Sequence, residues 1–219
     1  MRFLLTLSFC VCARRGELAR LYAVVGGVDF TDNIDTTGYK QKTPIGYLPA
    51  VAHAEAGLFP NCTFAFGCLQ ESLAVERYIR SLSPKFTALT PQELAIDDMF
   101  AMVKEDLIHV EPGAANASVA KSVVTPLYDR YLSVLENDGY IPSTGFVNGK
   151  SFPTGADLSV LVFIKSGFPF AKALENAKYD LSRFPKIVAL AERTASWPTV
   201  AKYLKVSKTF YAVLSGVGV

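Results

Sequence analysis

Thr43-Pro-Ile-Gly-Tyr-Leu-Pro49 and Gln70-Glu-Ser-Leu-Ala-Val-Glu-Arg-Tyr-Ile79 are the two pieces of sequence on which the fold turns. The first is a loop that closes on a proline at the mouth of a strand. Proline cannot donate to a β-ladder, so it belongs at a strand start or edge. The second piece is a strand end that becomes a helix: Leu73-Ala-Val-Glu-Arg-Tyr-Ile79 has helical spacing, and Ser72 stands where that helix begins. Backbone N–H groups and the helix dipole attract a carboxylate at such a point. Glu71 beside it can take an ammonium, so the pair suits a group that carries both charges on one carbon. Without the upstream Leu48-Pro49 pair, the same residues read as a helix cap and a solvated charge.

Taken together, Leu48-Pro49 and Glu71-Ser-Leu-Ala-Val-Glu-Arg-Tyr-Ile79 resemble the thioredoxin-like half of a glutathione transferase. The family pattern joins a Leu/Ile/Val-Pro pair to Gln/Glu-Ser-x-Ala-Ile/Val-x-x-Tyr-Ile/Leu. The resemblance covers residues 3–206 and is nearest the sigma-like classes. It implies an α/β plus all-α protein, with a thioredoxin-like, glutathione-binding domain over residues 1–82 and a helical bundle over 91–219. It also implies a cis bond before Pro49, and a Leu48 backbone that pairs with an extended peptide ligand as an added strand. Glutathione is then the co-substrate, bound at Leu48, Pro49, Glu71 and Ser72.

Composition sets wider bounds. The 219 residues suffice for one large domain or two small ones. Hydrophobic residues make up 50% and charged residues 19%, so a sizeable core is available. A net charge of +2 gives no electrostatic case for nucleic acid or an anionic membrane. No apolar run reaches the ~18 residues of a membrane span. The four cysteines, at 10, 12, 62 and 68, are too sparse for a disulfide scaffold. Cys10-Val-Cys12 is not a Cys-x-x-Cys redox motif, and without nearby His it makes no zinc site; no metal site is expected.

Met1-Arg-Phe-Leu-Leu-Thr-Leu-Ser-Phe-Cys10 reads either as a signal-like start or as a buried first strand. The strand reading is preferred, because Glu17 to Val25 with Gly26-Gly27 follows as a helix and its glycine cap. A cytoplasmic location goes with it. The expected order is a strand from Phe3 to Cys10, a helix from Arg14 to Val25 and a strand from Val28 to Asn33. An antiparallel pair, Leu48 to His53 with Thr63 to Leu69, follows, then a helix from Ser72 to Leu82 and a linker over 83–90. Ala54 to Cys62 is longer than the family usually has there. Pro91 opens the next helix with Thr90 as N-cap, running to about Val110, where the Glu111-Pro-Gly113 turn stops it. Ser118 caps a helix to Asn137 that Pro126 interrupts. Thr154-Gly-Ala-Asp157 is a capping box, which the family also has at the start of its core helix. Further helices run over 187–195 and 200–204, and Lys205 to Val219 is an apolar tail with no assigned place.

The activating chemistry departs from the family. The nucleophile is a thiolate, and tyrosine-type members stabilise it with a hydroxyl eight residues before the helix Glu. Counting back from Glu17 gives Phe9, which has no donor. Ser8 neighbours it, on the opposite face of a strand. Cys10 follows it, and Phe9-Cys-Val-Cys-Ala13 resembles the Phe-Cys-Pro-Phe-Ala of omega-type members, whose Cys forms a mixed disulfide with glutathione. Cys12 lies close to the helix start, near Arg14 and Arg15. Otherwise both cysteines are small packing residues. Cys10 and Ser8 are therefore the catalytic candidates, with Phe9 facing the ligand.

The resemblance carries over further positions one at a time. Arg15 matches an Arg two residues before the helix Glu. Lys40, four before Pro44, matches a Lys that pairs with the glycyl carboxylate; the aromatic that usually helps it is absent at Thr36, and Tyr39 is near. Asp98 and Asp106 match recurrent acidic positions, whereas the Asp that reaches a neighbouring subunit's ligand falls at Met102 and is lost. His53 and His109 read as structural or surface residues. Two functions stand. One is a glutathione transferase acting on small hydrophobic electrophiles, or transferring thiols, as a homodimer with a role in detoxification. The other is a non-catalytic binding or structural protein of the same fold. If Phe9 faces the ligand sulfur, Phe9→Tyr adds a hydrogen bond worth about 1.5–3 kcal/mol. Conjugation of an aryl halide should then rise by roughly one to two powers of ten. If Cys10 is the nucleophile, Phe9→Tyr leaves the rate unchanged and Cys10→Ala abolishes thiol transfer while glutathione still binds.

Overall fold

The computed structural model describes residues 5–8 as backbone, and residues 15–34, 47–53 and 69–212 in full. Compact units divide the chain between Leu89 and Thr90. Among the described residues, no helix is long and apolar enough to cross a membrane.

The first unit is a four-stranded sheet in the order β2-β1-β3-β4, formed by β1 (Leu5–Ser8), β2 (Phe30–Asn33), β3 (Ala50–Ala52) and β4 (Leu69–Gln70). β1 pairs in parallel with β2, Leu5 opposite Phe30 and Ser8 opposite Asn33. β3 runs antiparallel to both β1 and β4, with Ala50 opposite Ser8 on one side and Gln70 on the other. This is the thioredoxin-like arrangement that the sequence implies. β2 and β3 are shorter than expected: the second strand begins at Phe30, not Val28, since Gly27 and Val28 are spent on closing the helix before it.

That helix, α1 (Glu17–Gly26), starts three residues later than expected. Leu18, Leu21, Tyr22 and Val25 recur at helical spacing and are at most 2% exposed. Gly27 is left-handed at φ 70°, and the Val28 N–H returns to the Ala23 carbonyl at 2.9 Å. Arg20 is wholly buried. Its guanidinium donates to Asp32 of β2 at 3.0 and 3.1 Å and to Glu17 at 3.1 Å. Removing one partner of such a buried pair costs about 3–5 kcal/mol, so this cluster pins helix to sheet.

α2 (Ser72–Ser81) packs on α1 and buries Val75 and Ile79. The segment 83–90 is not a bare linker, because Pro84–Thr87 forms a short helix, α3, within the first unit. Its Phe86 is fully buried, edge-on to Tyr22 at 5.1 Å. The Ser83 hydroxyl donates to the Gly26 carbonyl at 3.0 Å and the Lys85 ammonium to the Val25 carbonyl at 3.1 Å. These are the carbonyls that a helix end leaves without partners. A Cβ on Gly26 would stand 2.7 Å from the Ser83 Cβ, so this approach requires glycine.

The second unit is helical: α4 (Pro91–Leu107), α5 (Glu111–Ala115), α6 (Ala117–Asn137), α7 (Gly155–Lys165), α8 (Lys172–Ala177), α9 (Pro185–Ala195) and α10 (Pro198–Val206). Thr90 and Glu93 form a full capping box on α4. Glu111-Pro-Gly113 opens α5 rather than a turn; Pro112 near its start costs no hydrogen bond. Asn116, not Ser118, caps α6: its Oδ1 accepts from the Ser118 N–H at 2.9 Å. Pro126 does not interrupt this helix. The loss of one N–H is offset by the buried stripe Ala120, Val124, Tyr128 and Leu132, all with no exposure.

α7 is buried on every side, from Gly155 to Ile164, and packs against α4 and α9. Its N-terminus is held by two buried carboxylates. Asp157 completes the capping box with Thr154, accepting from the Thr154 N–H at 2.7 Å and the Val147 N–H at 2.9 Å. Asp97 of α4 accepts from the Thr154 hydroxyl at 2.8 Å, the Ala156 N–H at 2.9 Å and the Asn148 amide at 2.9 Å. Glu136 of α6 caps α9 in the same manner, taking the Lys186 and Ile187 N–H groups at 3.0 Å each. The apolar tail has a place as far as Ala212. Gly167 donates to the Phe210 carbonyl at 2.6 Å, Phe168 to the Ala212 carbonyl at 3.0 Å, and Phe210 is fully buried.

Burial pushes the Asp157 carboxyl up to about 7, helped by the neighbouring charge of Asp97 and opposed by its hydrogen bonds from Val147 and Thr154. A carboxyl raised on folding contributes stability that is full at acid pH and lost as pH rises through its folded value. The thermal midpoint of Asp157→Asn should therefore lie lower overall but fall less between pH 5 and 8 than that of the parent. Parallel pH curves for the two proteins would contradict this.

Candidate functional site

The site is built from the sheet's own register. Because β3 runs against β1 and β4, the end of β1, the start of β3 and the end of β4 share one edge, where Ser8, Ala50 and Gln70 lie in a row. One step beyond that row the two pieces leave the ladder: Leu48 and Pro49 precede Ala50, and Glu71 and Ser72 follow Gln70. The pairing of Ala50 with Gln70 therefore brings together two sequence pieces that lie about twenty positions apart.

Leu48 is half-buried and Pro49 buried, and their peptide bond is cis, as the resemblance implies. Glu71 is exposed and takes φ 70°, ψ 120°, a backbone region that non-glycine residues seldom enter. It precedes α2 and makes no side-chain cap bond to it. Ser72 is the first residue of α2 and is 5% exposed. A helix N-terminus with a carboxylate at its lip suits a zwitterionic carbon, its carboxylate toward the helix and its ammonium toward Glu71.

The other expected residues divide into two groups. Ser8 ends β1 in the row just described, with its backbone placed and its side chain outside the described residues. Arg15 is exposed in the turn before α1. Phe9, Cys10, Cys12, Tyr39, Lys40 and the segment 54–62 lie outside the described residues, so the structure joins none of them to the site. Among the described residues, no group of three or more His, Cys, Asp or Glu could hold a metal ion.

Three features have no clear signal in the sequence. Gln70 is 4% exposed and its amide donates to the Tyr47 carbonyl at 2.5 Å, tying β4 to the loop that carries Leu48. His53 is buried, not superficial, with Nδ1 2.6 Å from the Tyr78 hydroxyl of α2. Burial raises Tyr78 above the ordinary range for a phenol. In the second unit Asp97, rather than its neighbour Asp98, is the acid that enters the core. A side chain bonding to a backbone group across a register has no periodic signature, which is why Gln70 does not stand out. His109 is exposed beside the Asp106 carbonyl, and Asp106 accepts from the Tyr131 hydroxyl at 2.5 Å.

No protein-family model and no curated sequence matches the chain. Solved structures do. The glutathione S-transferase of Ascaris lumbricoides is 25% identical, with a TM-score of 0.70 over 93% of this chain and 97% of its own. A Nu-class transferase from Haemonchus contortus is 22% identical, with a TM-score of 0.69 over 93% and 97%. The monomeric Na-GST-3 of the hookworm Necator americanus is 20% identical, with a TM-score of 0.70 over 92% and 96%. Each likeness spans more than nine-tenths of both chains, and so takes in the sheet unit and the helical unit alike. This chain has the glutathione S-transferase fold.

Proposed function

We propose that the protein binds glutathione and, with it, conjugates small hydrophobic electrophiles or transfers thiols. The observation that carries this reading is the β3–β4 pairing, in which Ala50, directly after the cis Leu48–Pro49 bond, lies opposite Gln70, directly before Glu71 and Ser72 at the start of α2. The γ-glutamyl carboxylate goes to the first turn of α2 at Ser72, its ammonium to Glu71, and the cysteinyl backbone to Leu48. Lys40 takes the glycyl carboxylate, and Arg15 serves at the start of α1. Phe9 brings no hydroxyl to the sulfur, so a transferase without the usual donor depends on Cys10 or Ser8. The alternative, a binding protein of this fold with little activity, is favoured by that same absence at Phe9.

A cytoplasmic location and a detoxification role belong to the proposal. The expected homodimer, with two-fold symmetry, also belongs to it, although one structural neighbour is described as monomeric. Light scattering at micromolar concentration should give twice the chain mass of 23.8 kDa, and a single-chain mass would reject the dimer.

Calorimetry tests the binding site itself. Glutathione should bind the parent protein, and Ser72→Ala should weaken binding by about 1–3 kcal/mol, the cost of leaving a charged hydrogen bond unmade. An unchanged dissociation constant removes Ser72 from the site.

A further inference from the structure

We propose that Gln70 is a positioning residue for the ligand, setting the peptide plane through which Leu48 meets it. The inference rests on the glutathione-binding reading and adds a residue that does not touch the ligand. Gln70 closes β4 opposite Ala50, and its side chain reaches across the strand pair to the Tyr47 carbonyl. A carbonyl can only accept, so the amide nitrogen must face it.

The consequence follows from peptide planarity. The Tyr47–Leu48 bond is not among the cis bonds. In a planar trans peptide the C=O and the following N–H point in opposite directions. Holding the Tyr47 oxygen toward Gln70 therefore aims the Leu48 N–H the other way, away from Gln70. That N–H is the group with which Leu48 can receive an extended peptide as an added strand. Tyr47 is 67% exposed, so its own side chain does little to fix this plane. Gln70, buried beneath it, is the anchor. The zwitterionic end of the ligand depends on Glu71 and Ser72 and not on this plane. Gln70 should thus govern the peptide part of recognition and leave the γ-glutamyl part alone.

The test uses two ligands and two variants of the full chain. S-methylglutathione engages both halves of the site, and γ-glutamylmethylamide only the Glu71–Ser72 half. Gln70→Glu keeps the shape but, when ionised, offers the Tyr47 carbonyl no donor. By NMR titration at pH 8 it should bind S-methylglutathione about tenfold more weakly than the parent, the scale of one lost hydrogen bond. It should bind γ-glutamylmethylamide within about twofold of the parent. Burial at this position holds the introduced carboxyl above its ordinary range, so on acidification to pH 5 it takes up a proton and donates again, and Gln70→Glu should return to within about threefold of the parent at that pH. Gln70→Met should show the same split between ligands with no recovery in acid, and it carries the test if Gln70→Glu does not fold. Equal weakening of both ligands, no weakening, or a Gln70→Glu protein that stays weak in acid would each overturn the positioning role. A parent protein that binds neither ligand would instead overturn the glutathione reading beneath it.

Discussion

The pairing of β3 with β4 is the constraint on which the candidate site depends. Leu69 and Gln70 pair with Val51 and Ala50, and that register decides what stands beside what. Side chains alternate along a strand, so a slip of one residue would exchange faces and part Gln70 from Ala50. Backbone bonds are not all that holds this register. The side chains around it supply the rest: Gln70 fastens the loop before β3, and His53 at the far end of β3 meets Tyr78 of α2. The helix whose first turn serves the site is thereby tied to the strand that carries Leu48 and Pro49.

Elsewhere the molecule repeatedly satisfies helix ends from a distance. α1 ends on Ser83 and Lys85, α7 begins on Asp97 as well as on its own capping box, and α9 begins on Glu136. A local cap stabilises one helix. A cap supplied by another element also fixes the angle and distance between the two. Within each unit these bonds act as packing restraints as much as hydrogen bonds. Ser83, Asp97 and Glu136 occupy buried positions, where a missing partner costs about 1–3 kcal/mol.

What is legible in the sequence follows the range of each signal. The cis bond before Pro49, the start of α2 at Ser72, the Gly27 cap and the Thr154–Asp157 capping box are encoded by neighbours in the chain, and each lies where the sequence puts it. The thioredoxin-like order is legible because α1 and α2 carry clean apolar stripes. Signals that depend on distant partners mislead. Pro126 looks like a break, but a buried stripe with no exposure overrides it. Residues 83–90 look like a linker, because nothing in their own composition shows that Phe86 will meet Tyr22. Nothing in the residues around Asp97 shows that α7 will arrive to bury it. The pairing of Gln70 with Tyr47 is of the same kind.

The seam between the chain's last described residues and Gly167 bears on synthesis. Phe210 fills the second unit's core, and Gly167 and Phe168 give their N–H groups to the carbonyls of Phe210 and Ala212. A β-carbon on Gly167 would stand 2.5 Å from the Ala212 oxygen, so the two segments meet with no room to spare. On the ribosome, every strand of the sheet and the helices around it are available early, as domains generally fold from the N-terminus. The helical unit has all of its described helices by Val206 but cannot seal its core until Phe210 and Ala212 have emerged. A nascent chain halted just short of them would expose the groove meant for Phe210, and would be a natural client for a chaperone that binds apolar surface.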